Sequence, residues 1–219
     1  MKTLVIDIGG SNVKILATGQ PSRIKIPSGN DFSPEHMIPL IKDAAQEWEY
    51  ERITIGFPGV VRNNHIESEP VNLGKGWESY DFDGAFNYPV KIINDAAMQA
   101  LGSYEGKKLL YLGFGTGLGT AMVVGKTIIP MEGGHLPYKK ETFETYVGKA
   151  YYEKHGLKKW EKHVRKTIDI YADAFQPDDI ILGGGNSKYI TKLPSGCRLG
   201  TNINAFKGGF KLWEEEFYY

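Results

Sequence analysis

Cysteine is almost absent from this sequence, since Cys197 is the only one among 219 residues. A lone cysteine cannot form a disulfide or a thiolate zinc site within one chain, which excludes a disulfide-stapled scaffold. Long apolar runs and a secretory leader are also missing, so we expect a soluble, cytoplasmic protein. Neither sign of charge dominates, because 26 Lys and Arg balance 26 Asp and Glu, and this argues against a dedicated nucleic-acid binder.

Two glycine-rich segments carry the same pattern. Residues 4–19 and 110–125 each predict an apolar strand, a glycine-rich turn and a second strand, and they align without a gap. Neither turn ends in the Gly-Lys-Ser/Thr of a Walker loop, and neither precedes a helix as a dinucleotide fingerprint does. Each alone is most simply a tight hairpin that binds nothing. Together, with Ser11 in one and Thr116 in the other, they favour a backbone clamp on a phosphate chain.

The spacing of apolar residues predicts alternating strands and helices in both halves. In the first half, strands are predicted over 3–8, 13–18, 22–27, 52–57 and 90–93, with helices opening at Pro34 and covering 95–104. In the second half, the prediction is a hairpin over 108–125, strands near 126–130 and over 179–182, and helices over 157–175 and about 204–217.

This repeated order predicts two α/β domains built on one plan, with a cleft between them. We place the domains at residues 1–106 and 107–203, and we expect a C-terminal helix in 204–219 to pack back on the first domain. Clefts between domains are where small-molecule sites usually lie, so the cleft is the expected site.

Asp95 follows a predicted strand and opens a predicted helix. Aspartate is a common helix N-cap, and spacing alone favours that structural role. The alternative is a carboxylate at the cleft that accepts a proton from a substrate hydroxyl, as phosphoryl transfer often requires.

Two other segments combine glycines with groups that could face a ligand. Glu132 and His135 are separated by two glycines, which predicts a turn presenting both to one ligand, although such residues more often lie free on a surface. Two such groups are an incomplete metal set. The glycines 183–185 end a predicted strand, where ligands approach α/β sheets, and a plain loop is the alternative.

Residues 139–166 contain nine basic and four acidic residues. A solvated helix face is the simpler explanation. The alternative is an electropositive track for an anionic substrate.

Taken in order, these motifs resemble the ROK family of sugar kinases in the actin/hexokinase/Hsp70 superfamily, and within it the polyphosphate glucokinases. The segments that carry the resemblance are 7–14, 57–61, Asn72 with Trp77, 94–96, 132–135, 113–119 and 181–185. They span nearly the whole chain.

The resemblance implies a two-domain α/β fold, the actin-like (ribonuclease H-like) ATPase and sugar kinase fold, with an interdomain cleft. It implies that Asp95 is the general base on the sugar 6-hydroxyl and that Asp7 holds Mg²⁺ through water. The implied sugar-binding residues are Gly59, Asn72, Asn94, Glu132, His135 and Glu144. The residues implied on the phosphoryl-donor side are Gly9, Gly10, Ser11, Asn12, Lys14, Gly115, Thr116, Gly117, Gly183, Gly184 and Gly185.

The segment 136–143 lacks the cysteines of the zinc module that many ROK members carry, so we expect no zinc. We expect transfer of a phosphoryl group from polyphosphate or ATP to the 6-hydroxyl of glucose, with Mg²⁺. The resemblance implies a possible homodimer. The balanced charge and the lack of a long apolar run predict no nucleic-acid or membrane partner. The alternatives are an ATP-only ROK kinase of fructose, mannose or N-acetylglucosamine, and a sugar or nucleotide sensor without turnover.

Overall fold

The computed structural model describes residues 1–201 and 203–219, which form two five-stranded sheets with helices between and around them. The first half contains β1 (Thr3–Ile8), β2 (Asn12–Ala17), β3 (Ile24–Pro27), α1 (Pro34–Ala44), β4 (Arg52–Phe57), β5 (Val61–Arg62), β6 (His65–Ile66), α2 (Phe82–Phe86), β7 (Val90–Asn94) and α3 (Asp95–Ser103). The second half contains β8 (Leu109–Phe114), β9 (Leu118–Val124), β10 (Thr127–Met131), β11 (Pro137–Tyr138), β12 (Glu141–Thr142), α4 (Phe143–Val147), α5 (Lys149–His155), α6 (Leu157–Phe175), β13 (Asp179–Gly183), β14 (Cys197–Leu199) and α7 (Asn204–Glu214).

The two sheets share one topology. Their strand orders are β3-β2-β1-β4-β7 and β10-β9-β8-β13-β14. In each, three consecutive strands pair antiparallel and two later strands add in parallel. The repeated plan predicted from the two glycine segments is therefore confirmed.

The central strands explain why the repeated segments are so apolar. Every residue of β1 and of β8 is buried, since each strand has a neighbour on both edges and a covered face on both sides. The glycine turns follow these two strands, so each turn is anchored to the most protected strand of its sheet.

Helices α3 and α7 pack against each other so closely that their backbones touch. A Cβ on Gly102 would collide with the carbonyl oxygen of Asn204, and one on Gly208 would collide with that of Met98. Only glycine allows this approach. The residues of these two helices share a core with Val5 of β1 and with Tyr111 of β8. Helix α7 lies against the first sheet, and α3 contacts both sheets.

The C-terminal helix is also hydrogen-bonded to the first sheet. Thr54 of β4 donates its hydroxyl to the carbonyl oxygen of Gly209 at 2.7 Å and accepts the indole N–H of Trp213 at 2.9 Å. Lys91 of β7 donates to the carbonyl oxygen of Leu212 at 2.8 Å. These contacts support packing of this helix against the first half, while the domain boundaries themselves stay a prediction.

Most predicted elements are confirmed, and the errors concern short ones. The strand over 52–57 and the helix over 157–175 have the predicted bounds. Helices α4 and α5 and strand β14 were not predicted, because helices of five and seven residues and a strand of three residues are too short to show a helical or a strand period. Over residues 1–201 and 203–219, no helix is both long and apolar enough to span a bilayer.

Candidate active site

Both glycine turns lie at the end of a central strand, the first after β1 and the second after β8. Strands β4 and β7 run parallel to β1, and β13 runs parallel to β8, so all of them end at the same edges as the turns. Ligands of open α/β sheets bind beyond the carboxyl ends of the strands, which makes these edges the candidate site.

The first turn is braced from within and from the neighbouring strand. Gly9 donates its N–H to the carbonyl oxygen of Asn12 at 3.1 Å, and Ser28 binds the carbonyl oxygens of Gly9 at 2.6 Å and Ser11 at 3.2 Å. The N–H groups of Gly10 and Ser11 have no hydrogen-bond acceptor among the described residues. Paired free N–H groups in a tight turn suit an anion.

The second turn is fixed through the carbonyl oxygen of Gly115, which accepts two hydrogen bonds. The carbonyl oxygen of Gly115 accepts the Lys149 N–H at 2.9 Å and the Asn186 side-chain amide at 3.0 Å, while the Gly115 N–H bonds to Gly117. Within the part of the chain that the structure describes, the N–H groups of Thr116 and Gly117 have no protein acceptor. Asn186 was missed as a site residue, although it directly follows the 183–185 glycines.

Asn94, rather than Asp95, is the N-cap of α3. Its side-chain oxygen accepts the Ala97 N–H at 3.1 Å, and its amide donates to the carbonyl oxygen of Gly59 at 3.1 Å. The capping role that spacing favoured for Asp95 is therefore wrong, because the helix begins one residue earlier than that role requires. Asn94 fixes the Pro-Gly turn to the helix and retains capacity for one further donor and one further acceptor bond.

The Asp95 carboxyl group is the most perturbed acid at this edge. Burial, with the negative charges of Asp7 and Glu132, raises its pKa from 3.8 to about 7, although the Ala96 N–H at 2.7 Å and the Lys14 ammonium act in the opposite direction. A carboxylate with a pKa near neutrality can accept a proton and release it again. Strong perturbation of this kind is typical of functional sites.

Asp7, the penultimate residue of β1, forms an ion pair with Lys14 across the β1–β2 ladder, with 2.8 Å between the ammonium nitrogen and a carboxylate oxygen. Asp7 is buried and Lys14 is partly exposed, so this pair is partly shielded from solvent. The described residues contain no group of three or more His, Cys, Asp or Glu side chains that could hold a metal by themselves. Mg²⁺ in kinases usually binds one or two carboxylates plus substrate phosphates, and Asp7 near Asp95 fits that ligand set.

His135 lies between two glutamates. Its Nδ1 is 3.9 Å from Glu132 and its Nε2 is 3.6 Å from Glu144. The pKa of Glu132 is raised, mainly by burial and also by the negative charge of Glu144, while His135 acts in the opposite direction. The hydroxyl of Thr120 holds the turn by accepting the Gly133 N–H at 3.0 Å. Glu132 and His135, predicted from one motif, and Glu144, predicted from another, are therefore neighbours.

Two contacts connect these groups to the glycine turns. A Cβ on Gly117 would lie 2.5 Å from a carboxylate oxygen of Glu144, so this glutamate borders the second turn. A Cβ on Gly10 would lie 3.2 Å from that of Asn72, so Asn72 borders the first turn. Trp77 lies below, fully buried against Phe57 at 5.4 Å between ring centroids.

The 183–185 glycines have unequal surroundings. A Cβ on Gly183 would collide with the Tyr111 ring, and one on Gly184, whose φ is +78°, would collide with the backbone of Phe114. Gly185 has open space around it. Packing therefore explains the first two glycines, and Gly185 alone could admit a ligand to the backbone.

Tyr111 is a buried neighbour of the site that sequence reasoning missed. Its hydroxyl donates to the Gln99 side chain at 2.9 Å. Burial and the charges of Asp95 and Asp7 raise its pKa above the ordinary tyrosine value, which places its hydroxyl near both acids. The only signal in the sequence was a polar atom within an otherwise apolar strand.

Comparison with known proteins identifies relatives along most of the chain, although no family model matches the sequence. The chain is 30% identical over 209 residues to a polyphosphate glucokinase of Mycobacterium tuberculosis, covering 85% of this chain and 78% of that protein. It is 28% identical over 205 residues to a polyphosphate glucokinase of Mycobacterium leprae, covering 84% of this chain and 63% of that protein.

Solved structures share the fold. An inorganic polyphosphate/ATP-glucomannokinase from Arthrobacter sp. strain KM matches with a TM-score of 0.81 at 22% identity, covering 94% of this chain and 96% of that one. A ROK family glucokinase from Streptomyces griseus, in complex with glucose and AMPPNP, matches with a TM-score of 0.77 at 15% identity, covering 97% and 99%. The predicted actin-like kinase fold is confirmed. By sequence this chain belongs to the polyphosphate glucokinases, and its fold is the one found in ROK family sugar kinases.

Proposed function

We propose that this enzyme transfers a terminal phosphoryl group from polyphosphate or ATP to the 6-hydroxyl of glucose. The observation that carries the proposal is the Asp95 carboxyl group, whose pKa of about 7 arises from burial and from acids of both halves, Asp7 and Glu132. A general base works best when its pKa lies near the working pH. The family relationship supports the hexose and the donors.

Each proposed role follows from a position in the site. Ionised Asp95 accepts the proton of the sugar hydroxyl while the new oxygen–phosphorus bond forms. The bond between the transferred phosphorus and the bridging oxygen of the donor breaks, and the shortened donor leaves with the electron pair. Positioning and charge stabilisation supply most of the catalysis in such transfers.

The two turns hold the donor in this proposal. The free N–H groups of Gly10, Ser11, Thr116 and Gly117 face phosphate oxygens, and Lys14 adds a positive charge. Gly9, Asn12 and Gly115 shape the turns, and Gly185 immediately precedes Asn186, which is hydrogen-bonded to the second turn. Asp7 would hold Mg²⁺, which when bound neutralises charge on the donor phosphates.

The sugar is proposed to bind the other group of side chains. Glu132, His135 and Glu144 form one cluster of donors and acceptors, and we assign further sugar contacts to Asn72, beside the first glycine turn, and to Asn94, beside Gly59. A polyol needs such a set, because each buried hydroxyl left unpaired costs binding energy. We extend the proposal to a cytoplasmic homodimer in glycolysis, as the family resemblance implies.

The test is a phosphorylation assay with long-chain polyphosphate or ATP as donor, and with glucose, mannose, fructose or N-acetylglucosamine as acceptor. Glucose with polyphosphate is expected to give product, with a rate that falls about tenfold per pH unit below pH ~7 as Asp95 takes up a proton. Product only with ATP, or only with another hexose, would identify one of the alternative kinases.

Asp95→Asn separates a kinase from a sensor. The variant is expected to turn over about 10²–10⁴-fold more slowly while glucose binding changes little. The matched control is Asp173→Asn, on the exposed part of α6. Near-normal turnover by Asp95→Asn contradicts the base assignment, and glucose binding without turnover by the unaltered enzyme would indicate a sensor.

A further inference from the structure

A groove of about 440 Å³ lies along α6, beyond the β11–β12 hairpin, and its lining is mainly basic. Five cationic side chains contribute to it, against two carboxylates: Lys139, Lys158, Lys162, Arg165 and Lys166, with Glu161 and Asp169. Of the two carboxylates, Glu161 is already engaged by Arg165 and by Thr191. The groove therefore presents mostly unpaired positive charge to solvent.

Three of the lysines form a regular row. Lys158, Lys162 and Lys166 are four residues apart on one helix, so they lie on one face and span about 12 Å. All three are exposed, and none forms an ion pair with a carboxylate in the described ranges 1–201 and 203–219. A linear row of free ammonium groups is complementary to a linear polyanion.

Lys139 is held at the mouth of the groove by an unusual backbone. It is the first of two residues in the tight turn between β11 and β12, and its φ is +59°. That conformation favours glycine at this position of a hairpin. The Lys139 ammonium nitrogen lies 5.7 Å from the Tyr138 ring centroid and 5.5 Å from that of Tyr146. A lysine where glycine would be less strained indicates that the charge is used.

The floor of the groove also indicates positive potential. His163 is buried, and both its ring nitrogens are bonded to tyrosine hydroxyls, Tyr138 at 3.1 Å and Tyr151 at 3.2 Å. Burial lowers its pKa, and the charges of Lys139 and Lys162 lower it further. The imidazole is therefore a neutral support, and the lysines above it carry the charge.

The groove begins close to the proposed sugar and phosphate site. Lys139, in the turn of the β11–β12 hairpin, is four residues after His135, and four residues of chain reach at most about 14 Å. The same hairpin leads into α4, which carries Glu144 beside the second glycine turn. A ligand long enough to extend from the turn could reach the groove.

We propose that the groove binds the distal part of a long polyphosphate chain whose terminal phosphate is in the active site. This rests on the proposed function, because it requires polyphosphate as a donor. Polyphosphate fits better than single-stranded RNA, since the rings of Tyr138 and Tyr146 are covered by Lys139 and by each other and leave no platform for base stacking. Lysines are point charges without the planar recognition of arginine, which suits a ligand of repeated phosphates.

The first test removes the row of charges. In the triple variant Lys158→Gln, Lys162→Gln, Lys166→Gln, the KM for long-chain polyphosphate is expected to rise about tenfold. Its dependence on salt should weaken, because fewer counterions are released on binding. Rates with tripolyphosphate and with ATP should not change, since these donors are too short to reach the groove.

Lys139→Gly provides a second variant that does not threaten folding. Glycine relaxes the strained turn, so thermal stability should stay equal or increase, while the KM for long-chain polyphosphate rises about two- to fivefold. The neighbouring Lys140→Gln, in the same turn but outside the groove lining, should leave that KM unchanged.

A control of equal charge is available on other surfaces. Lys42, Lys107 and Lys207 are exposed and lie outside the groove, and their triple substitution by Gln lowers the net charge by the same amount. An equal rise in KM in both triple variants would mean that the overall positive charge attracts polyphosphate, and it would contradict specific binding in the groove.

The outcomes distinguish the two proposals. If the unaltered enzyme uses long-chain polyphosphate and the groove triple variant has the same KM for it, the groove does not bind the donor. The assignment of polyphosphate as a donor then still holds. If the unaltered enzyme accepts no polyphosphate, whatever its chain length, polyphosphate is not a donor and the proposed role of the groove is also wrong. Tighter binding of an RNA oligonucleotide than of polyphosphate of equal charge, lost in the groove variant, would overturn the groove as a polyphosphate site.

Discussion

Replacing Asp95 with asparagine should stabilise the folded enzyme at alkaline pH while it abolishes most of the activity. The side chain has a pKa of about 7 in the folded state, against an ordinary value of 3.8. The folded state therefore binds the proton more tightly than the unfolded chain does. Stability contributed by this group is present at acid pH, is lost as the pH rises from 3.8 to about 7, and is constant above that.

The magnitude follows from this interval. Each pH unit within it changes the free energy of unfolding by about 1.36 kcal/mol, so full ionisation of Asp95 costs about 4 kcal/mol. Asparagine keeps an oxygen for the Ala96 N–H and carries no charge near Asp7. Any change in packing is independent of pH. The stability of Asp95→Asn relative to the unaltered enzyme should thus be about 3 kcal/mol greater at about pH 8 than at about pH 5.

Urea unfolding of both proteins at these two pH values measures the difference, and the glucose phosphorylation assay follows activity in the same samples. Taking the difference between the two proteins cancels the titration of all other groups that the substitution does not touch. A relative stability that is equal at both pH values, or greater at about pH 5, would refute the buried, charge-crowded carboxyl group on which the proposed base depends.

The remaining predictions concern the glycine run and the acidic cluster. Gly183→Ala should lower the free energy of unfolding by about 1–3 kcal/mol, because the added Cβ would collide with the Tyr111 ring. Gly185→Ala, in open space, should change it by less than about 0.5 kcal/mol. Thermal unfolding of the two variants measures the difference. Glu144→Gln should raise the KM for glucose about tenfold or more, because a charged acceptor is lost, while substitution of the exposed Glu141 by Gln should leave it unchanged. Initial rates at varied glucose concentration measure both KM values, and equal values would show that Glu144 does not bind the sugar.

Local signals were enough to predict most of the fold. A regular pattern of buried apolar residues runs through each of the two hairpins, the strand over 52–57 and the helix over 157–175. Such a pattern depends only on the residues within the element. The order of the motifs also supported the kinase family before any geometry was known. The short helices α4 and α5 and the three-residue strand β14 were missed, because such elements show no period of their own and their position depends on what they pack against.

The sequence by itself determined the duplicated sheet plan, the glycine turns and the identity of the candidate acids, because each is written in a contiguous stretch of chain. Only the tertiary structure decided which residue caps α3, since Asn94 and Asp95 are both good N-caps and the Asn94 amide is also bonded to Gly59, which is distant in the chain. It also decided the protonation of Asp95, which depends on burial and on acids distant in the chain. The lysine row on α6 was predicted as a count of charges, and folding added the groove and the position of Lys139. Charge and burial act through space, so a linear sequence cannot specify them.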